Sequence, residues 1–461
     1  MKCSLVAVIL CLVSASLARG QRPAADVQSF EVTPAIPTTD SWFLTDPRQR
    51  IPGNSAFLFA DAAATLNDPV NKQVAEALAA YRSGNMTSFD SLAAAVEEAR
   101  VYSSSKASDT MDLLEVASRR EDYTWDSSYR EQGAYALIPH IVGERKLIDL
   151  ICVRALRQIR AGQFDDAVGT LRIGYEMGRK VGTEPILICG LVGSAIVRRA
   201  ADTTAEFIRQ PDSPNLYWAL CGLPLPMVDF HHSLTGEVDD FTATFPVLRS
   251  NKPQDLTSEQ WHAVFSQIVG LLEANGPANS QGWTNDQTVA GEITRTAPRA
   301  RAWYSRTFNI PKDQVESLDA FKVVVTYWYV QDEDLVNQMY AISALPWPGV
   351  LSRLDRQSRE IAVDEPANPF LGWTPAMSKA AERMADSDRA LAALADVEAI
   401  RAYAAANGDQ LPAHLVDITE TPALDNPKTG KPFEYRLSGD AATLSDSDPA
   451  YPLTYTIKIR K

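Results

Sequence analysis

From about residue 54 onward, apolar side chains return at three- and four-residue steps, the spacing that lines one face of an α-helix. Residues 62–80, 88–101 and 109–119 all follow it. A stronger helix begins after Pro139, with Leu147, Leu150, Ile151 and Leu156 along its face. Ala161-Gly162-Gln163 and the acidic pair Asp165-Asp166 then separate it from a second helix lined by Ala167, Leu171 and Tyr175. Residues 186–197 (ILICGLVGSAIV) are apolar nearly all round, as a helix central to a bundle should be. Ser213-Pro214 opens another helix, which Leu223-Pro224-Leu225-Pro226 ends. Residues 274–299, rich in Gly, Asn and Thr, predict a loop or a weak helix. Helical spacing returns over 318–345 and 351–361, and 362–373 is a Pro-containing connector.

The pattern changes character near the C-terminus. Thr374-Pro375 is a helix start, a cap residue followed by Pro in the first turn. Leu391, Leu394, Val397, Ile400 and Ala404 mark one face, and Asn407-Gly408 is a stop signal. Three short strands are expected at 433–437, 442–444 and 453–459. The last (LTYTIKI) alternates as a half-buried strand does.

At the other end, Met1-Lys2, an apolar run (LVAVILCLV) and small residues to Gly20 have the order of a secretory signal peptide, residues 1–20. The apolar run is far shorter than the roughly 20 residues that span a bilayer. Residues 21–53, rich in Pro, Thr and Gln, predict an extended, poorly structured leader. The chain thus divides into signal (1–20), leader (21–53), α-helical domain (54–373) and a small α+β module (374–461).

Of 461 residues, 45% are hydrophobic and 22% charged, ordinary globular usage. The formal net charge of −14 argues against a nucleic-acid partner. No stretch after the signal is long and apolar enough for an integral membrane segment. Beyond the signal, Cys152, Cys189 and Cys221 remain, too few and too odd in number for a disulfide framework.

Two local likenesses follow from these residues. Gly162 at the turn, Phe164 where an aromatic packs and Ala167 where helices approach resemble one tetratricopeptide-like helical hairpin of about 30 residues. Glu398-Ala-Ile-Arg-Ala-Tyr403, Gly408, Leu411-Pro412, Leu415, the turn from Asp425 through Pro427-Lys-Thr-Gly-Lys-Pro to Tyr435, and the final strands resemble the globular part of type II secretion major pseudopilins. That resemblance implies a long helix packed on a three-stranded antiparallel sheet over about 70 residues. It departs in that the helix starts at 374 rather than as an N-terminal membrane segment. The order of helical region, Asn215-Leu-Tyr-Trp-Ala-Leu220, Leu-Pro and such a module is also similar to secreted proteins of planctomycete-type bacteria, a likeness that supplies no activity. The expected fold class is mainly α, a large multi-helix domain followed by the α+β module.

Candidate chemistry is sparse. His231, His232 and Glu237, with Asp229, Asp239 and Asp240, form the densest ligand-like cluster and suit a divalent metal by donor type. Their spacing matches no zinc motif, and a solvated helix face is the competing reading. The pseudopilin resemblance implies calcium near the last strands, where Asp440, Asp446 and Asp448 supply carboxylates, though the Gly-rich loop of that family is missing. His140, His262 and His414 stand alone and read as structural. Tyr327-Trp328-Tyr329, Tyr340 and Trp347 could line a groove, but core packing explains them better. No nucleophile elbow, phosphate loop or dinucleotide fingerprint is present. The expectation is a non-catalytic protein, periplasmic or secreted, that binds a protein or peptide of the cell envelope. The alternative is a periplasmic hydrolase with its site in a helical cleft.

Overall fold

The computed structural model describes residues 26–461 apart from 67, 102–109, 126–128, 134–135, 137, 276–282, 284, 365–367, 449–451 and 461. The signal-like segment therefore lies outside the described residues. The molecule is mainly helical with a small sheet near its C-terminus.

The first helices are α1 (Ala56–Thr65), α2 (Asp68–Arg82), α3 (Met86–Val101), α4 (Thr110–Arg119) and the short α5 (Tyr129–Gln132). Three long helices follow: α6 (His140–Arg160), α7 (Phe164–Val181) and α8 (Leu187–Ile208). Each packs on the other two. Gly162, at φ +70°, forms the turn of the α6–α7 hairpin. At the α7–α8 crossing the backbones touch: a Cβ at Gly178 would fall 2.9 Å from the Gly193 carbonyl, and one at Gly193 would fall 2.6 Å from the Gly178 carbonyl. Only glycine fits at both positions. The apolar text of 186–197 is thereby explained as a buried bundle helix. Among the described residues no helix is long and apolar enough to cross a membrane.

The chain continues through α9 (Tyr217–Cys221), α10 (Phe230–Thr244) and α11 (Pro246–Ser250). Next come α12 (Ser258–Asn275), α13 (Asp286–Thr307), α14 (Lys312–Ser317), α15 (Ala320–Ser343) and α16 (Trp347–Asp364). Residues 286–307, which overlap the loop or weak helix expected over 274–299, are a full helix. The Asn285 carboxamide caps it, accepting from the Gln287 and Thr288 N–H groups at 2.9 and 3.4 Å, and Ile293, Ala300 and Tyr304 bury one face. Here a second core of Trp261, Phe265, Tyr304, Trp328 and Tyr329 forms. Tyr327, Trp328, Tyr329 and Trp347 are all buried, so core packing accounts for them.

α17 (Thr374–Ala406) matches the expected C-terminal helix. It packs on α8, α9 and α16. Residues 384–402 are buried on every side, not on one face alone. After it come β4 (Asp425–Asn426), β5 (Lys431–Pro432), β6 (Glu434–Ser438), β7 (Ala441–Ser445) and β8 (Leu453–Ile459). The three expected strands are β6, β7 and β8, antiparallel as anticipated.

The leader is extended but not unstructured. Its residues form β1 (Asp26–Val32), a fourth strand that pairs in parallel with β8, Asp26 opposite Leu453 through Val32 opposite Ile459. The sheet order is β1-β8-β7-β6. Phe30 and Val32 are fully buried. Arg209 of the helical region donates to the Ser29 carbonyl at 2.8 Å and lies 4.4 Å above the Phe30 ring. Further on, β2 (Ile51–Asn54) pairs with β3 (Arg120–Asp122).

The module therefore shares its sheet with the leader and its helix with the bundle. Residues 374–461 produced alone should lack folded signatures in circular dichroism and amide NMR; a dispersed, cooperatively melting spectrum would contradict this packing.

Candidate functional site

The ionisable residues of α17 from Asp386 to Arg401 are buried, so each must find a partner. Glu398 accepts from the Leu216 N–H at 3.0 Å and from Arg401 at 2.7 Å. Arg401 also donates to the carbonyls of Thr33 and Ser213, at 3.0 and 2.8 Å. Asp388 accepts from the Met227 N–H at 3.0 Å and the Trp347 indole at 2.7 Å. Asp396 accepts from the Leu424 N–H at 2.7 Å. Buried acids elsewhere do the same: Glu176 takes the Thr45 N–H and Glu184 the Trp125 N–H, at 2.9 and 2.8 Å. The recurring role is to hold a loop by its backbone.

Two of the calcium candidates come together and one does not. Asp446 and Asp448 meet the cations Arg389 and Lys428. Arg389 donates to Asp446 at 2.9 Å and stands 3.1 Å from Asp386. Lys428 binds Asp386 at 2.8 Å and also Asp448. Asn426 donates to Asp446 at 3.2 Å. This network joins α17 to the turn before β6 and to the end of β7. Asp440, in the β6–β7 turn, is exposed and stands 3.9 Å from Lys458.

The His231–His232–Glu237 set points three ways from α10. His231 Nδ1 lies 2.8 Å from the Ser343 hydroxyl, its ring stacked on Tyr340 of α15. His232 Nε2 lies 2.9 Å from the Thr183 carbonyl. Glu237 accepts from the Leu187 N–H at 2.9 Å, at the start of α8, and burial pushes its carboxyl up to about 7. Asp229 accepts from the His232 N–H at 3.2 Å. The side chains of Asp239 and Asp240 lie outside what the structure describes. No group of three or more His, Cys, Asp or Glu side chains able to hold a metal ion occurs among the described residues. Cys152, Cys189 and Cys221 are free thiols. His262 stacks on Phe321 with centroids 3.7 Å apart, and the His414 N–H donates to Asp417 at 2.8 Å.

One buried acid departs from the loop-holding pattern. Glu144 of α6 is fully buried, accepts from the Tyr123 hydroxyl at 2.7 Å, and leaves Oε2 without a hydrogen-bond partner. His140, one helical turn earlier, stacks on Trp125 at 4.0 Å and leaves Nε2 equally unpartnered. Burial raises the Glu144 carboxyl to about 7 and lowers the His140 imidazole to about 4. Both groups are thus largely uncharged in mild acid. His140 stands out in the sequence as a lone histidine, whereas Glu144 belongs to no motif. Its signal was an acid placed inside the apolar stripe of Ile141, Leu147, Ile148 and Ile151.

On the surface, the leader builds a different feature. Pro37 bridges to Asn215, the Thr38 N–H donates to the Asn215 carbonyl at 3.1 Å, and the Trp42 ring packs over Gly222. Arg172 holds the Trp42 carbonyl at 2.9 Å. Residues 36–42 thus run beside 215–225. Along this stretch Ile36, Trp42, Trp218 and Leu225 are 78%, 48%, 39% and 41% exposed. Four of the ten exposed large apolar side chains among the described residues fall here, which marks the strip as surface available for contact.

No protein-family model, curated protein or solved structure matches the chain.

Glu144 binds its proton more tightly in the folded chain than in the unfolded one. Its contribution is therefore complete below about pH 4.5 and is lost as pH rises through about 7. Glu144→Gln, which keeps the neutral form, should gain on the wild type by on the order of 2–3 kcal/mol between pH 4.5 and 8 in urea unfolding. A difference independent of pH would contradict the buried, protonated carboxyl.

Proposed function

We propose that the chain is an exported helical protein of the cell envelope that binds a protein or peptide partner through the Ile36–Trp42–Trp218–Leu225 strip. The observation that carries the reading is the pair of half-exposed tryptophans held on fixed backbone. Large aromatic side chains that enter an interface already ordered lose little conformational freedom on binding and dominate hot spots. Two of the four residues, Ile36 and Trp42, come from the leader, so anchoring of the leader sets the surface. The signal-like N-terminus and the acidic composition support an exported binder with no nucleic-acid partner.

The tetratricopeptide-like likeness draws support from the α6–α7 hairpin with Gly162 at its turn. The pseudopilin likeness draws support from the order of long helix and three antiparallel strands. In this reading the α+β module does not dock independently, because α17 is enclosed by the helical region. It closes the fold and fixes the leader, and the leader presents the aromatic strip.

A second reading, a periplasmic hydrolase, rests on the unpartnered His140 Nε2 and Glu144 Oε2 one turn apart on α6. A residue pair with opposed shifts is where acid–base chemistry would be sought.

Crosslinking capture from the native cell envelope separates the two. The mature wild type should retain a stoichiometric protein partner, crosslinked near residues 36–42 or 215–225. Trp42→Ala combined with Trp218→Ala should weaken capture at least tenfold, roughly the loss of one hot-spot residue, while melting as the wild type does. Equal capture by both proteins would refute the strip. A hydrolytic activity lost in Glu144→Gln but kept in the tryptophan variant would favour the second reading.

A further inference from the structure

An acidic chain gathers a set of cations around one buried carboxylate. Glu176 of α7 is fully buried. Its Oε1 takes the Thr45 N–H at 2.9 Å and lies 3.8 Å from Arg50. Its Oε2 takes Arg179 at 3.0 Å. Lys180, also buried, donates to the Arg120 carbonyl at the start of β3, and Arg120 in turn donates to the Pro52 carbonyl. Arg172, one turn before Glu176, holds the Trp42 carbonyl. Segments distant in sequence, the leader, β3 and α7, thus converge here. The cations Arg50, Arg172, Arg179 and Lys180 outnumber the nearby carboxylates Glu176, Asp122 and Glu115.

The donors outnumber the acceptors as well. Arg50 Nε, Arg179 Nε and Thr45 Oγ1 are all buried and have no hydrogen-bond partner. Each Glu176 oxygen accepts one bond, from the Thr45 N–H and from Arg179, and none of these three atoms bonds to either oxygen. A structural ion pair would match its charges and saturate its donors; this cluster does neither. Burial also lowers the Lys180 ammonium to about 8, against the opposing pull of Glu176 and with Arg179 and Arg50 adding to the effect. The side chains of Arg50 and Arg179 remain 29% and 24% exposed, so solvent reaches the cluster.

We propose that the Thr45–Arg50–Arg179–Lys180 cluster is a binding site for a phosphate-type oxyanion, free or as the phosphoryl group of a larger ligand. The unused donors come from separate segments. They suit a tetrahedral acceptor with several oxygens better than a planar carboxylate with two. Guanidinium groups bind such oxygens through charge-assisted hydrogen bonds. The site is distinct from the aromatic strip, although the leader supplies residues to both.

Calorimetric titration of the mature chain tests this, with inorganic phosphate, glucose 1-phosphate and, at matched ionic strength, sodium chloride. Saturable binding of phosphate, absent with chloride, is expected. Arg50→Gln should weaken it about tenfold, the loss of one charge-assisted contact. Thr45→Val, which removes only the unpartnered hydroxyl, should weaken it by a smaller factor and keeps the test open if Arg50→Gln does not fold. Tighter binding of the sugar phosphate would assign the site to a phosphoryl group on a larger ligand; tighter binding of inorganic phosphate would assign it to the free anion. Absence of saturable heat with both phosphates, or wild-type affinity in Thr45→Val and any folded Arg50→Gln, would overturn the proposal.

Discussion

The Glu398–Arg401 pair inside α17 is the constraint on which the rest of the structure depends. Both side chains are fully buried, so removing them from water is costly unless their donors and acceptors are met. The partners they find are backbone groups of two other segments, Thr33 at the end of the leader strand and Ser213–Leu216 before α9. Satisfying one ion pair therefore fixes where the N-terminal strand leaves the sheet and where α9 sits on α17. Asn215 adds to this junction, donating to the Ala35 and Glu398 carbonyls at 3.0 and 2.8 Å.

From that junction the topology follows. With residue 33 held at α17, the preceding residues have β8 beside them, and β1 completes the sheet in parallel. The leader strand and the last strand are thereby joined in one sheet. Residues 36–54 are laid over α7 and α9, which places Trp42 over Gly222 and brings Thr45 and Arg50 to Glu176. Both surfaces with a proposed binding role, aromatic and cationic, are consequences of the same anchored leader. Neither could be assembled by the helical bundle alone.

Much of this was legible from local pattern. Pro at the first turn and Gly after the last marked α17, and the alternation of LTYTIKI marked β8. The part that was not legible is non-local. In DVQSFEV the buried Phe30 and Val32 follow the period of a strand, but its parallel partner lies more than 400 residues away and leaves no signature beside it. The charged residues of α17 hid a helix buried all round, because loop-holding acids and solvent-facing acids look alike in sequence. His231, His232 and Glu237 are neighbours on the chain, yet a helix sends them to three different elements. The composition of 274–299 points to a loop or a weak helix, and packing of Ile293, Ala300 and Tyr304 overrides that preference in α13.

Native-state hydrogen exchange on the mature chain tests the central claim most directly. If the buried pair ties the leader to α17, the β8-facing amides of Gln28, Phe30 and Val32 in β1 should exchange as slowly as those of β8 and 391–400, through one cooperative opening. In Arg401→Met all three should speed up together. Fast, fraying exchange of β1 while β8 and α17 stay protected would contradict it, because the leader would then be an attachment to the fold and not part of what holds it together.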